Sequence, residues 1–183
     1  MNTQSLILSI LNFGDASGYE IKKQSSEGAF SFFVDISYGT IYPTLARLET
    51  EGLVTSRSEA QSGKPDKKVY SITELGRAEF IRMLDVIPQR DKFKSEFLLV
   101  SMCAGLCSKE TIENAIDKQI GDTQEVLQII EDMREQCEGD AASMWVTDYG
   151  IHVKKAALEY LTKNRQSLLD MAGGELQRKD AAE

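Results

Sequence analysis

The stretch Ser37 to Val54, "SYGTIYPTLARLETEGLV", decides how the chain is read. Ile41, Leu45 and Leu48 recur at i, i+4 and i+7, one apolar face of an α-helix, and Gly52 is placed to end it in a left-handed turn. Gly39 and Pro43 interrupt that pattern, where glycine costs about 1 kcal/mol and proline about 3 in a helix interior. Two readings accommodate them. In one, the helix is entered only at Pro43, as its first residue; in the other, Gly39 clears space for a close approach while Pro43 removes the N–H that would bond the Gly39 carbonyl, so that the first turn bends. The first eight residues carry five hydroxyls and no charge: Ser37, Tyr38, Thr40, Tyr42 and Thr44. Hydroxyls grouped at a helix N-terminus, with its free N–H groups, suit phosphate oxygens and base edges.

Working outward, Leu6, Ile7, Ile10 and Leu11 mark a first helix, ended by "GDASG" at 14–18. Ser17 is a good cap for a second, "GYEIKKQSSEGAF", with Tyr19 and Ile21 expected to face inward. Beyond the third helix the period changes to two: "LVTSRSEA" and "VYSIT" alternate, and "QSGKPDKK" between them gives a hairpin with a basic tip. Thr73 can cap a fourth helix with Leu75, Phe80 and Leu84 inward, and Pro88 marks its end.

Three helices, a hairpin and a closing helix form the outline of a winged helix-turn-helix, expected over residues 1–88. In that arrangement the third helix enters the DNA major groove and the wing reaches backbone. Wing contacts are assigned to Arg57, Lys64, Lys67 and Lys68. Arg47 either reaches phosphate or pairs with Glu51 one turn on.

Residues 89–172 read as helical. "DKFKSEFLLVSMCAGL" forms one helix, and Ser108 caps another running to about Glu138. Its apolar positions, from Ile112 through Ile116, Thr123 and Ile130 to Cys137, alternate steps of three and four, the seam of a coiled-coil-like pair. Asp140 caps a last helix to Met171 carrying Trp145, Tyr149 and Tyr160. Two helices of about 30 residues, each roughly 45 Å long, exceed what so small a domain can cover, so a partner subunit is expected. Residues 173–183 read as a polar tail expected to fray. The fold class is thus mainly α with a small β-hairpin: a winged helix-turn-helix domain, then an all-α dimerisation domain of long antiparallel helices.

Composition bounds the function. With 42% apolar residues, no apolar run of membrane-spanning length and no signal-peptide pattern, the expectation is a cytoplasmic protein without membrane attachment. The net charge of −8 is unevenly spread: residues 1–88 hold nine basic and eleven acidic residues, the remainder twelve and eighteen. A basic segment on a weakly acidic domain is therefore compatible with DNA. His152 is the one histidine, so no His-based dyad or multi-histidine metal site forms within a chain, and no phosphate-binding glycine loop or nucleophile elbow appears. No catalytic residue, metal or cofactor is expected. Cys103 and Cys107, one turn apart in an apolar run, read as small buried hydrophobes or as a thiol sensor.

The chain resembles the PadR family of bacterial transcriptional regulators. It carries Gly18-Tyr19-Glu20-Ile21, then Ser37, Gly39-Thr40-Ile41-Tyr42-Pro43, Leu45, Arg47-Leu48-Glu49 and Gly52-Leu53, then Tyr70-Ser71-Ile72-Thr73 and Gly76, in the family's order and spacing. Family members often have proline where Tyr38 stands. The resemblance implies a homodimeric repressor that binds a pseudo-palindromic double-stranded operator, with recognition helices roughly 34 Å apart. It further implies modulation by a small aromatic effector, for which Phe93, Phe97, Trp145, Tyr149 and His152 are the candidate lining residues. The alternative is a winged-helix protein-interaction module without specific DNA binding.

Overall fold

Asn2 starts the first helix. Its side chain accepts the Ser5 N–H at 3.0 Å while Ser5 Oγ accepts the Asn2 N–H at 2.9 Å, a reciprocal cap that satisfies two otherwise orphaned donors. The computed structural model describes residues 2–26, 28–33, 37–61, 64–137 and 139–173. The tail expected beyond residue 173 and the hairpin tip, Ser62 and Gly63, lie outside the described residues. The chain divides into two compact units, Met1–Arg90 and Asp91–Glu183.

In the first unit, α1 (Thr3–Phe13), α2 (Gly18–Ser26) and α3 (Ile41–Thr50) precede β2 (Val54–Gln61), β3 (Lys64–Ile72) and α4 (Glu74–Leu84). A two-residue strand, β1 (Ala16–Ser17), joins the far edge of β3, giving a three-stranded antiparallel sheet in the order β1-β3-β2. The register pairs Val54 with Ile72 and Arg57 with Val69, then slips between Glu59 and Gln61, opposite the stretch that holds Pro65. Among the described residues Leu6, Ile7, Leu8, Ile10, Leu11, Ile21, Ile41, Leu45 and Leu48 form the buried centre, closed by Val54, Tyr70 and Phe80.

The third helix is entered differently from either sequence reading. Tyr38–Thr40 is a 3-10 turn and the α-helix begins at Ile41, so Pro43 sits within the first α-helical turn, where N–H groups have no intrahelical partner. No single α-helix runs from Gly39 through Pro43; the chain changes helix type before the proline. At the other end Gly52 adopts φ 70°, Leu53 N–H reaches the Leu48 carbonyl at 2.9 Å, and Gly52 N–H reaches the Glu49 carbonyl at 3.1 Å. That is a Schellman ending, with Leu53 and Leu48 both in the buried core.

Other expectations are corrected. Tyr19 is 69% exposed, because it lies two residues, about 200° of helix, from the buried Ile21. Leu75 and Leu84 are also exposed; of the three residues expected inward on α4 only Phe80 is buried, joined by Gly76 and by the partly buried Met83. Gly76 packs so closely that a Cβ there would stand 2.0 Å from the Leu53 carbonyl oxygen. Thr73 caps α4 as expected, accepting the Gly76 N–H at 3.0 Å.

The second unit holds α5 (Glu96–Met102), α6 (Lys109–Gln136) and α7 (Ala141–Asp170). The single helix expected over 91–106 is shorter: Ser95 caps α5 by accepting the Leu98 N–H, and a 3-10 turn, Ala104–Leu106, follows. Ser108 and Asp140 cap α6 and α7. Ion pairs Arg134–Asp148, Lys155–Glu131 and Arg165–Asp117 run in antiparallel order along the two long helices. Ile112, Ile116, Thr123 and Ile130 are the buried seam. Near the open end, Ala104, Ile112 and Leu169 cluster with Val100 and Cys107, and the Gly173 N–H donates to the Cys107 carbonyl at 3.0 Å. Trp145, Tyr149 and Tyr160 are 68%, 61% and 69% exposed along α7. No helix among the described residues is long and apolar enough to cross a membrane.

Candidate nucleic-acid interface

Because Ile41, Leu45 and Leu48 are fully buried, the opposite face of α3 must project outward. That face carries Tyr42, 55% exposed, with Pro43, Ala46 and Arg47 beside it and Thr44 half-buried at its edge. Pro43 and Ala46 are additions to the expected set; their signal is present in the spacing, since Pro43 lies two residues, about 200° of helix, from Ile41 and Ala46 lies about 160° from Leu48. Ser37 and Gly39 are exposed in the preceding turn. Tyr38 belongs to that turn, but its side chain lies outside the described residues.

Thr40 is less free than its hydroxyl suggests. Its N–H and its Oγ1–H both donate to the Ser37 carbonyl, at 2.9 and 2.6 Å, and Thr3 Oγ1 lies 3.0 Å from Thr40 Oγ1. The side chain ties the 3-10 turn together and fastens it to α1. Arg47 Nη1 donates to Glu51 at 3.2 Å and Nη2 to Gln4 Oε1 at 2.8 Å, so the helical partner wins in the free protein and a second one comes from α1.

The wing lysines stand on β3 rather than at a loop tip. Strand alternation sends them to opposite sides: Lys67 to Glu20 of α2 at 2.8 Å, Lys68 to Glu49 of α3 at 2.8 Å. Lys68 Nζ also sits 5.1 Å from the Tyr70 ring centroid. Arg57 on β2 bridges Asp15 at 2.6 Å and Glu59 at 2.9 Å, and donates to Ser71 Oγ at 3.0 Å. Lys64 is on β3, with its side chain outside the described residues.

These carboxylates are held ionised. Lys67, aided by the Ser17 backbone N–H, lowers Glu20 to about 2. Lys68 and then Ser56 lower Glu49, and Arg57 followed by Ser71 lowers Asp15. Each of these described basic side chains thus has an acidic partner on the same unit, which fixes its direction and offsets its charge. No sequence pattern announces these pairs, because their members lie up to 47 residues apart.

Of the residues expected to line an effector pocket, Trp145 and Tyr149 are brought together, their rings stacked at 6.0 Å and 8° on one face of α7. The exposed His152 follows, its Nδ1 2.7 Å from the Asp148 carbonyl oxygen. Phe97 is on α5, and Phe93 is exposed in the segment before it. An open groove of about 490 Å³ on this unit is lined by other residues: Leu127, Lys155, Leu158, Glu159, Thr162 and Lys163. The three cysteines are free and half-buried.

Residues 7–82 match the model of the Transcriptional regulator PadR-like family. Over 139 residues the chain is 28% identical to the Negative transcriptional regulator PadR of Bacillus subtilis, covering 75% of this chain and 76% of that one. The fold matches smu.1604c from Streptococcus mutans with a TM-score of 0.77 at 29% identity, over 91% of this chain and 99% of the other. It matches the PadR-like regulator BC1756 from Bacillus cereus with a TM-score of 0.74 at 28% identity, covering 91% and 98%. Against Bacillus subtilis PadR in complex with operator DNA, the TM-score is 0.69 at 25% identity, over 92% and 97%. That Bacillus protein has also been solved with p-coumaric acid. A winged-helix unit followed by a helical unit, with the motifs at 18–21, 37–53 and 70–76 in the first of them, is what the chain shares with the PadR-like transcriptional regulators it is similar to.

Proposed function

We propose that the chain is a dimeric, sequence-specific DNA-binding repressor that acts in the cytoplasm, with α3 as its reading head. The observation that carries this is the division of α3: one side wholly buried through Ile41, Leu45 and Leu48, the other projecting Tyr42 and Ala46, with Arg47 beside them tied to Glu51 and Gln4. In a major groove Tyr42 can hydrogen-bond a base edge or phosphate, and Ala46 can meet a thymine methyl. Ser37 and Thr44 serve phosphate from the flanks, as does Tyr38, while Thr40 sets the turn that presents them. The operator complex of the related Bacillus protein supports the same use of the fold here.

Arg47, Arg57, Lys64, Lys67 and Lys68 are assigned to backbone. For the four with described partners, phosphate replaces a carboxylate already in place, so each phosphate adds less affinity than it would at a free cation. Docking of α7 on a second copy covers Trp145, Tyr149 and Tyr160 and supplies two recognition helices for a pseudo-palindromic operator, roughly 34 Å apart. The stacked Trp145 and Tyr149 are also the best placed of the candidate residues to meet a small aromatic effector. The carboxylate pairing of the cations is the feature that favours the other reading, a protein-interaction module. A gel shift with the DNA upstream of the chain's own gene separates the two: specific retardation, weakened by salt, supports the regulator; no specific retardation at any salt supports the module.

A further inference from the structure

Gly18, the first residue of α2, is buried against the recognition helix. A Cβ built on it would lie 2.6 Å from Tyr42 Cε1 and 3.3 Å from Cδ1 and Cζ. The edge of the tyrosine ring therefore occupies the space that any side chain at residue 18 would need. Which side would yield is decided by how each is anchored. Ser17 pairs with Val69 in the sheet, and its N–H and hydroxyl donate to the Glu20 carboxylate at 2.8 and 2.9 Å. The Glu20 N–H returns to Ser17 Oγ at 3.2 Å, and the other carboxylate oxygen accepts Lys67 at 2.8 Å. The turn holding Gly18 is thus fastened to both β1 and the wing, whereas more than half of Tyr42 is open to solvent.

We infer that Gly18 is a positioning residue for DNA recognition: its missing side chain sets the direction in which Tyr42 projects from α3. This rests on α3 being the DNA-reading element. A methyl at residue 18 swings the ring, and the hydroxyl at the far end of a rigid ring travels furthest. Hydrogen bonds to base edges tolerate only a few tenths of an ångström, so a displaced hydroxyl forfeits its partner while the core stays intact. Stability is not what glycine supplies here, since alanine is the better helix former.

The test uses the full-length protein as wild type, G18A, Y42A and the double variant, with affinity for the upstream DNA measured against a scrambled duplex at low salt. G18A is expected to lose roughly tenfold of the preference for upstream DNA, the size of one base contact, with a thermal midpoint no lower than wild type. Added to Y42A, the same substitution is expected to change the preference by less than about twofold, because no ring remains to displace. In the free protein an NOE between the Tyr42 ring and the Gly18 α-protons is expected, with the ring resonances shifted in G18A. Wild-type preference retained in G18A, an equal loss in both backgrounds, unshifted ring resonances, or a markedly lowered thermal midpoint each overturns the inference. Wild-type protein that shows no preference for upstream DNA overturns the reading of α3 itself, and the inference with it.

Discussion

The two units use their apolar residues in opposite ways. In the first, Ile7, Leu8, Ile21, Ile41, Leu45 and Leu48 have no exposed surface and gather in one core, although Phe13, Ile81, Val86 and Ile87 face solvent. In the second, α7 buries only Leu169 completely among its 30 residues, while Trp145, Tyr149, Val153 and Tyr160 face outward at spacings of four, four and seven. Large apolar side chains grouped on the uncovered face of a helix mark an interaction surface. The first unit encloses a core against the Ile41, Leu45 and Leu48 face of α3; the second leaves the aromatic face of α7 uncovered. The proposal of DNA contact by one and self-association by the other rests on that contrast.

The contrast breaks most readily at its buried side. Leu45→Ala is expected to cost about 2–5 kcal/mol of stability by urea unfolding, as a fully buried leucine in a core with no room to relax. Tyr160→Ser, an equally apolar loss by sequence, is expected to change monomer stability by less than about 0.5 kcal/mol. Similar costs at the two positions would mean that the units do not differ as described. Next in size is Gly76→Ala, which drives a methyl into the Leu53 backbone carbonyl and is expected to cost about 1–3 kcal/mol in the same experiment.

Self-association is sharpened by W145A/Y149A. Sedimentation is expected to show a dimer in wild type and a shift towards monomer in the variant, with helix content by circular dichroism unchanged. A wild-type monomer would refute the role given to α7. Smaller again is the wing: K67A/K68A is expected to lower the slope of log affinity against log salt by about one for each phosphate no longer neutralised. An unchanged slope would show that these lysines serve only Glu20 and Glu49.

Much of the first unit is legible because its signals are local. The stripe of Ile41, Leu45 and Leu48 needs only helical spacing; the caps at Thr73, Ser108 and Asp140 need only a short polar side chain before a periodic run. Tyr19, Leu75 and Leu84 mislead because apolar character alone does not set an inward position; helical angle decides which residue points at the core. The 3-10 entry to α3 is only half legible: Thr40 closes it locally on the Ser37 carbonyl, but the contact that fastens it to α1 comes from Thr3, 37 residues away. The partners of the candidate site are equally hidden. Nothing near Lys67 or Lys68 in the chain names Glu20 or Glu49, and only the folded sheet brings them within 2.8 Å.

The smallest expected effect concerns pH. Glu20 has its carboxyl lowered from 4.5 to about 2, so its stabilising contribution is present above pH 4.5 and fades as pH falls from 4.5 towards 2. The pair is partly exposed, which limits this to under about 1 kcal/mol. Acid titration of stability is expected to be flatter in E20Q over that window; identical curves would show that the Glu20–Lys67 ion pair contributes nothing measurable.

The most direct measurement is the ratio of affinities for upstream and scrambled DNA, wild type against Y42A, by fluorescence anisotropy at fixed salt. If α3 reads bases through its outward face, the ratio falls roughly tenfold or more in Y42A while scrambled-DNA affinity barely moves. A Y42A protein that keeps the wild-type ratio contradicts the assignment of α3 as the reading head.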